Sequence, residues 1–98
     1  MRLLKNEINS IKSTFLHIFK QGNIYLFGSR VDDSKKGGDI DLYFDLEENF
    51  TSKQIIELKS KFRLELYDLI GEQKIDIVVS KDKYRSIEKE ILLTGVLL

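Results

Sequence analysis

Between Asp39 and Leu46 the chain reads Asp-Ile-Asp-Leu-Tyr-Phe-Asp-Leu, a strict two-residue alternation. Successive side chains of a strand point to opposite faces, so Ile40, Leu42, Phe44 and Leu46 share one wholly apolar face. Asp39, Asp41, Tyr43 and Asp45 share the other. A segment patterned this way folds as a half-buried strand of a two-layer α/β protein, because strands covered on both faces are apolar throughout. Taken alone, it is equally the pattern of a sheet whose acidic face is simply solvated. The flanking segments change that reading.

Asp39 and Asp41 lie side by side on one strand face, where like charges repel and neither ionises readily without a cation between them. A third acid stands in Lys74-Ile75-Asp76-Ile77-Val78-Val79, again flanked by apolar residues. Three strand-borne carboxylates suggest an oxygen-ligand site for a divalent metal, most naturally Mg²⁺, held by Asp39, Asp41 and Asp76. Asp45 is more than about 13 Å from Asp41 at strand rise, too far to share its metal.

Upstream, Ile24 to Phe27 forms a strand that ends in Gly28-Ser29-Arg30. Gly28 lets the backbone approach a ligand closely. Ser29 and Arg30 present amide N–H groups and a hydroxyl at the start of a short helix, over 30–34, which favours anions. The Arg30 guanidinium falls near any phosphate bound there. Lys35-Lys36-Gly37-Gly38 is a basic loop, either solvated or leaning over the phosphates. A phosphate-gripping turn beside metal-binding carboxylates is what phosphoryl or nucleotidyl transfer from a nucleoside triphosphate requires.

The Gly-Ser pair, the Asp-x-Asp pair after a nine-residue spacer (30–38) and the later Asp76 resemble the DNA polymerase β-like nucleotidyltransferase superfamily. Within it the short chain is similar to the minimal nucleotidyltransferase (MNT) family, many members of which are the antitoxin of HEPN/MNT toxin–antitoxin pairs. The spacer is one residue short of the commoner form, a loop change that leaves the strand acids in place. The resemblance implies an α/β (α+β) minimal nucleotidyltransferase fold, a small mixed β-sheet with helices packed on one face. It also implies catalytic and metal-binding roles for Asp39, Asp41 and Asp76, with two Mg²⁺ ions, and nucleotide binding by Gly28, Ser29 and Arg30. ATP is the expected substrate, and AMP passes to a tyrosine hydroxyl of a cognate HEPN ribonuclease toxin, which is thereby silenced. Two alternatives stay open: an antitoxin that neutralises by contact without catalysis, and transfer to a small-molecule or RNA acceptor.

Composition narrows the acceptor. Sixteen Lys and Arg balance sixteen Asp and Glu, so no net charge draws the chain to nucleic acid, and direct nucleic-acid binding is not expected. A domain without an added acceptor-holding module suits a protein acceptor better than a small molecule. No cysteine is present, which excludes disulfides and thiolate metal sites. The amphipathic start carries Glu7, unlike a signal peptide, and no apolar run reaches spanning length, so a cytoplasmic protein without a membrane partner is expected. Ninety-eight residues suit one domain over 1–98.

The remaining periodicities complete the expected fold. Leu4, Ile8, Ile11, Phe15, Ile18 and Phe19 mark an amphipathic helix stopped at Gly22, with Asn23 in the following turn. His17 lies near that stripe and receives no functional role. Thr51 and Gln54 form a capping box for a second helix striped by Ile55, Leu58, Phe62, Leu66 and Leu69 and ended by Gly71. A helix between two strands implies a crossover, which makes the Asp39 and Asp76 strands parallel neighbours. A third helix is expected from Ser80 or Asp82, striped by Tyr84, Ile87, Ile91 and Leu92 and ended by Gly95. The apolar tail, Val96-Leu97-Leu98, either packs back on the core or supports homo- or hetero-oligomer contacts. The sheet expected from these segments has three strands and an open acidic face, and Tyr43 borders the site or is simply a strand aromatic.

Overall fold

The computed structural model describes residues 3–28, 39–81 and 84–98. Among these the elements run α1 (Lys5–Phe19), β1 (Asn23–Phe27), β2 (Ile40–Asp45), α2 (Ser52–Ile70), β3 (Ile75–Val79), α3 (Ser86–Thr94) and β4 (Val96–Leu97). The strands form one mixed sheet in the order β3-β2-β1-β4. β2 and β3 are parallel, joined through α2 as the crossover argument requires, and β1 is antiparallel to both β2 and β4. The α/β architecture expected from the alternation is therefore present. A fourth strand is added by the apolar tail, which packs back against β1, with the Leu98 N–H donating to the Ile24 carbonyl at 2.9 Å.

α1 and α2 cover the apolar face of the sheet. Ile40, Leu42 and Phe44 of β2 are fully buried there, beside Ile24 and Leu26 of β1 and Ile75 and Ile77 of β3. Phe44 is the aromatic centre, with Phe15, Phe19 and Phe62 set edge-on around it at centroid distances of 4.9, 5.2 and 5.0 Å. Such edge-to-face packing adds about 0.5–1.5 kcal/mol per pair to the area buried.

Local chemistry sets the ends of the helices. Glu7 accepts a hydrogen bond from the Leu4 N–H at 3.0 Å, and Leu4 itself is exposed rather than part of the stripe. α1 stops before Gly22, because Lys20 takes the left-handed conformation (φ 67°) and returns its N–H to the Leu16 carbonyl. Gly22 instead lets the following turn pass against β2, where a β-carbon would stand 2.7 Å from the Asp45 carbonyl oxygen. Asn23 belongs to β1 rather than to that turn. The Thr51–Gln54 capping box forms reciprocally, with bonds of 3.1 and 2.9 Å, and Gly71 closes α2. The buried line of α2 continues from Leu66 to Ile70, four residues on, so Leu69 is turned to solvent. His17 Nδ1 lies 2.7 Å from Glu65 Oε1, a surface tie between α1 and α2.

α3 departs most from expectation. It begins at Ser86, leaving Tyr84 ahead of it and 85% exposed, and its buried residues are Glu88 and Ile91. Ile87, placed on the expected stripe, is largely exposed. The helix lies across the sheet face opposite α1 and α2, since Glu88 bonds Tyr43, whose side chain alternates with those of Leu42 and Phe44. The acidic face is thus covered at Tyr43 and open beyond it. Among the described residues no helix is long and apolar enough to cross a membrane.

Candidate active site

The parallel pairing of β2 and β3 sets Asp41 directly opposite Asp76. Adjacent strands lie about 4.8 Å apart and directly paired residues share a face, so the two carboxyl groups become neighbours. Asp76 is exposed at the rim of the sheet, and Asp41 is half-buried. The Asp41 carboxyl is held above its ordinary range, first by burial, then by the charges of Asp76 and Asp39 and by a hydrogen bond with Asp76, against a lowering influence of Lys74. The sequence argument placed such mutual repulsion between Asp39 and Asp41; in the structure Asp76 acts on Asp41 more strongly than Asp39 does.

Gly28 closes the site from the side of β1. Its φ is +76°, and a β-carbon there would fall on Asp41 Oδ2 and 3.1 Å from Asp41 Cγ. The glycine is therefore required twice, for a conformation that L side chains avoid and for the space the Asp41 carboxylate occupies. Its sequence neighbours Ser29 and Arg30, the residues 30–34 expected as a short helix, and Lys35 and Lys36 lie outside the described residues.

Asp39 immediately precedes β2 and is half-exposed, with Oδ2 3.4 Å from Lys74 Nζ. Backbone pairing brings that lysine here, through the Ile40 N–H bonded to the Lys74 carbonyl at 3.0 Å. The two-residue phase of Lys74 and Asp76 already places both on the acidic side, a signal by which Lys74 can be found. Among the described residues no three acidic or histidine side chains converge into a ready cation site. The Asp41–Asp76 pair, with Asp39 two residues away on the same strand face, nevertheless offers hard oxygen donors and negative charge that the single Lys74 only partly offsets, which fit a divalent cation such as Mg²⁺.

Tyr43 follows Asp41 on the same face but is fully buried, and its hydroxyl donates to Glu88 Oε1 at 2.7 Å. Burial and this bond push its phenol further above the ordinary tyrosine range. It is a structural aromatic under α3 rather than a free border of the site. A groove of about 420 Å³ lined by Leu46, Phe50, Ile55 and Val79 lies at the other end of β2 and β3, away from the carboxylates.

The mixed sheet thus presses a glycine turn against carboxylates on adjacent parallel strands. The family model described as Polymerase beta, Nucleotidyltransferase matches residues 9–98. The chain belongs to that family and has a nucleotidyltransferase-type function. Domains of this class generally use a nucleoside triphosphate and a divalent metal. No curated protein matches the sequence.

Proposed function

We propose that this chain is a Mg²⁺-dependent adenylyltransferase that moves AMP from ATP to a tyrosine hydroxyl of a cognate HEPN ribonuclease toxin, and so acts as its antitoxin. The observation that carries the transfer chemistry is the register of Asp41 with Asp76 against the Gly28 turn. Asp39, Asp41 and Asp76 would hold the metal, which when bound neutralises triphosphate charge and lowers the pKa of an acceptor hydroxyl.

The chain's own residues supply the rest. Gly28, followed by Ser29 and Arg30, receives the β- and γ-phosphates through backbone N–H groups and the guanidinium. Asp76, exposed at the rim, takes the proton of the acceptor hydroxyl as its oxygen attacks the α-phosphorus. The bond to the bridging oxygen breaks and pyrophosphate leaves. Alignment and charge neutralisation do most of the catalytic work in such a transfer.

Two features support a protein acceptor. β3 is an edge strand, so a bulky partner reaches Asp76 from the side without displacing another strand. The equal numbers of acidic and basic residues provide no electrostatic draw for RNA. The test is the intact mass of a co-expressed HEPN partner after incubation with this chain, ATP and Mg²⁺, beside an Asp39→Ala/Asp41→Ala control. A gain of one or more AMP units, absent from the control, is expected. A stable complex with no gain, together with neutralisation that survives Asp41→Ala, would replace catalysis with inhibition by contact.

A further inference from the structure

Glu88 is a fully buried carboxylate that the transfer chemistry does not use. Its described partners come from three parts of the fold. Tyr43 Oη of β2 donates to it at 2.7 Å, the Lys81 N–H from the segment after β3 at 3.1 Å, and Arg85 Nε from the start of α3 at 2.8 Å. A buried charge is retained only where it is paired and hydrogen-bonded, and breaking such a set is costly. These bonds therefore fix where α3 stands relative to the strands that carry both site carboxylates.

That placement matters because of a step in the sheet face. Tyr43 is covered completely, whereas Asp41, two residues back on the same face, is half-exposed and Asp76 is exposed. Two residues of strand span about 7 Å, so a ligand larger than an ion resting on the carboxylates meets the flank of α3. The far end of α3 also approaches β1, for a β-carbon on Gly95 would stand 3.2 Å from the Leu26 carbonyl oxygen. The sheet provides the floor and α3 the wall.

We propose that Glu88 is a positioning residue: through Tyr43, the Lys81 amide and Arg85 it sets α3 as the wall against which a nucleotide is seated beside Asp41 and Asp76. The inference rests on the nucleotidyl-transfer reading. It separates binding of the ion, which needs only the carboxylates, from binding of the nucleotide, which needs the wall.

The experiment compares the unaltered chain with Tyr43→Phe, Glu88→Gln, their double variant and Phe62→Leu, a stability control in the core on the opposite face. Free Mn²⁺ is followed by electron paramagnetic resonance and Mn²⁺–ATP by calorimetry. Mn²⁺ alone is expected to bind all five proteins equally. Mn²⁺–ATP is expected to bind Tyr43→Phe and Glu88→Gln roughly tenfold more weakly, as for loss of one charge-assisted hydrogen bond. The double variant should lose less than the product of the two single losses, because Tyr43 and Glu88 act through one network. Phe62→Leu should lower Tm and leave both affinities alone. If Tyr43→Phe and Glu88→Gln lower Tm yet bind Mn²⁺–ATP as the unaltered chain does, the network is merely structural and the inference fails. If Glu88→Gln does not fold, Tyr43→Phe decides the matter by itself. Absence of Mn²⁺–ATP binding by the unaltered chain would overturn the nucleotide reading and this inference together.

Discussion

Gly28→Ala is the substitution through which the geometry of the site is best interrogated. The new methyl group must adopt φ +76° and must share space with the Asp41 carboxylate. The first demand costs about 1–2 kcal/mol for an L residue in left-handed backbone. The second forces the Asp41 side chain off its rotamer or shifts the turn, for roughly another 0.5–1.5 kcal/mol. The sum is about 1.5–3.5 kcal/mol, which for a domain of this size lowers Tm by roughly 6–28 °C. A double-mutant cycle separates the two parts. Asp41→Ala removes the carboxylate and leaves a β-carbon 3.3 Å away, a contact that eases with a small shift. In that background Gly28→Ala should retain only the backbone cost, and the coupling of about 0.5–1.5 kcal/mol should disappear from urea unfolding followed by circular dichroism. An equal cost in both backgrounds would refute the claim that Gly28 makes room for Asp41. Free Mn²⁺ affinity should fall in Gly28→Ala for the same reason, since the displaced carboxylate is a ligand in the proposed site.

Asp41 also predicts a pH dependence. Its carboxyl is raised in the folded state by burial and by Asp76 and Asp39, so its ionisation opposes folding. Stability from this group is therefore lost as pH rises from the unfolded carboxylate value, about 3.9, through the higher folded one. Without divalent cations, Asp41→Asn should be more stable than the unaltered chain at pH 7, with the gain vanishing below about pH 4, and Mg²⁺ should raise Tm only where the aspartate is present. Thr51→Ala removes one arm of the α2 capping box and should cost about 1 kcal/mol in chemical denaturation without changing ion affinity. Phe44→Ala empties the aromatic centre and should cost about 3–5 kcal/mol, read as a lower midpoint of urea unfolding followed by near-ultraviolet circular dichroism.

The two-residue phase of 39–46 was a sufficient guide to the core because every apolar position in it is satisfied by α1 or α2. The same phase, with the crossover through α2, also brought Asp76 beside the Asp39 and Asp41 pair, but a two-residue shift keeps the same face, so the pairing with Asp41 itself is read only from the structure. The strand alternation could not reveal what covers Tyr43. Part of its cover is Glu88, a charged residue that reads as solvent-facing in a helix but is buried among donors that include Tyr43, the Lys81 amide and Arg85. The displaced stripe of α3 has the same origin, because its inner line joins Glu88 to Ile91 rather than Ile87 to Ile91. Lys20 ended α1 in a conformation usually left to glycine, so Gly22 drew attention away from the actual stop. The fourth strand was hidden by its brevity, since Val96 and Leu97 carry no period of their own.

Arg63 has a consequence beyond the bond it makes. Its Nε donates to the Ile75 carbonyl at 3.1 Å from α2, so the outer margin of β3 is occupied at the point just before Asp76. An unguarded strand margin invites another chain to add itself as a further strand, which would wall off the carboxylate from that side. The arginine blocks such an addition at its starting residue while leaving Asp76 uncovered. Strand addition at this margin would therefore begin without the acceptor that its first hydrogen bond needs.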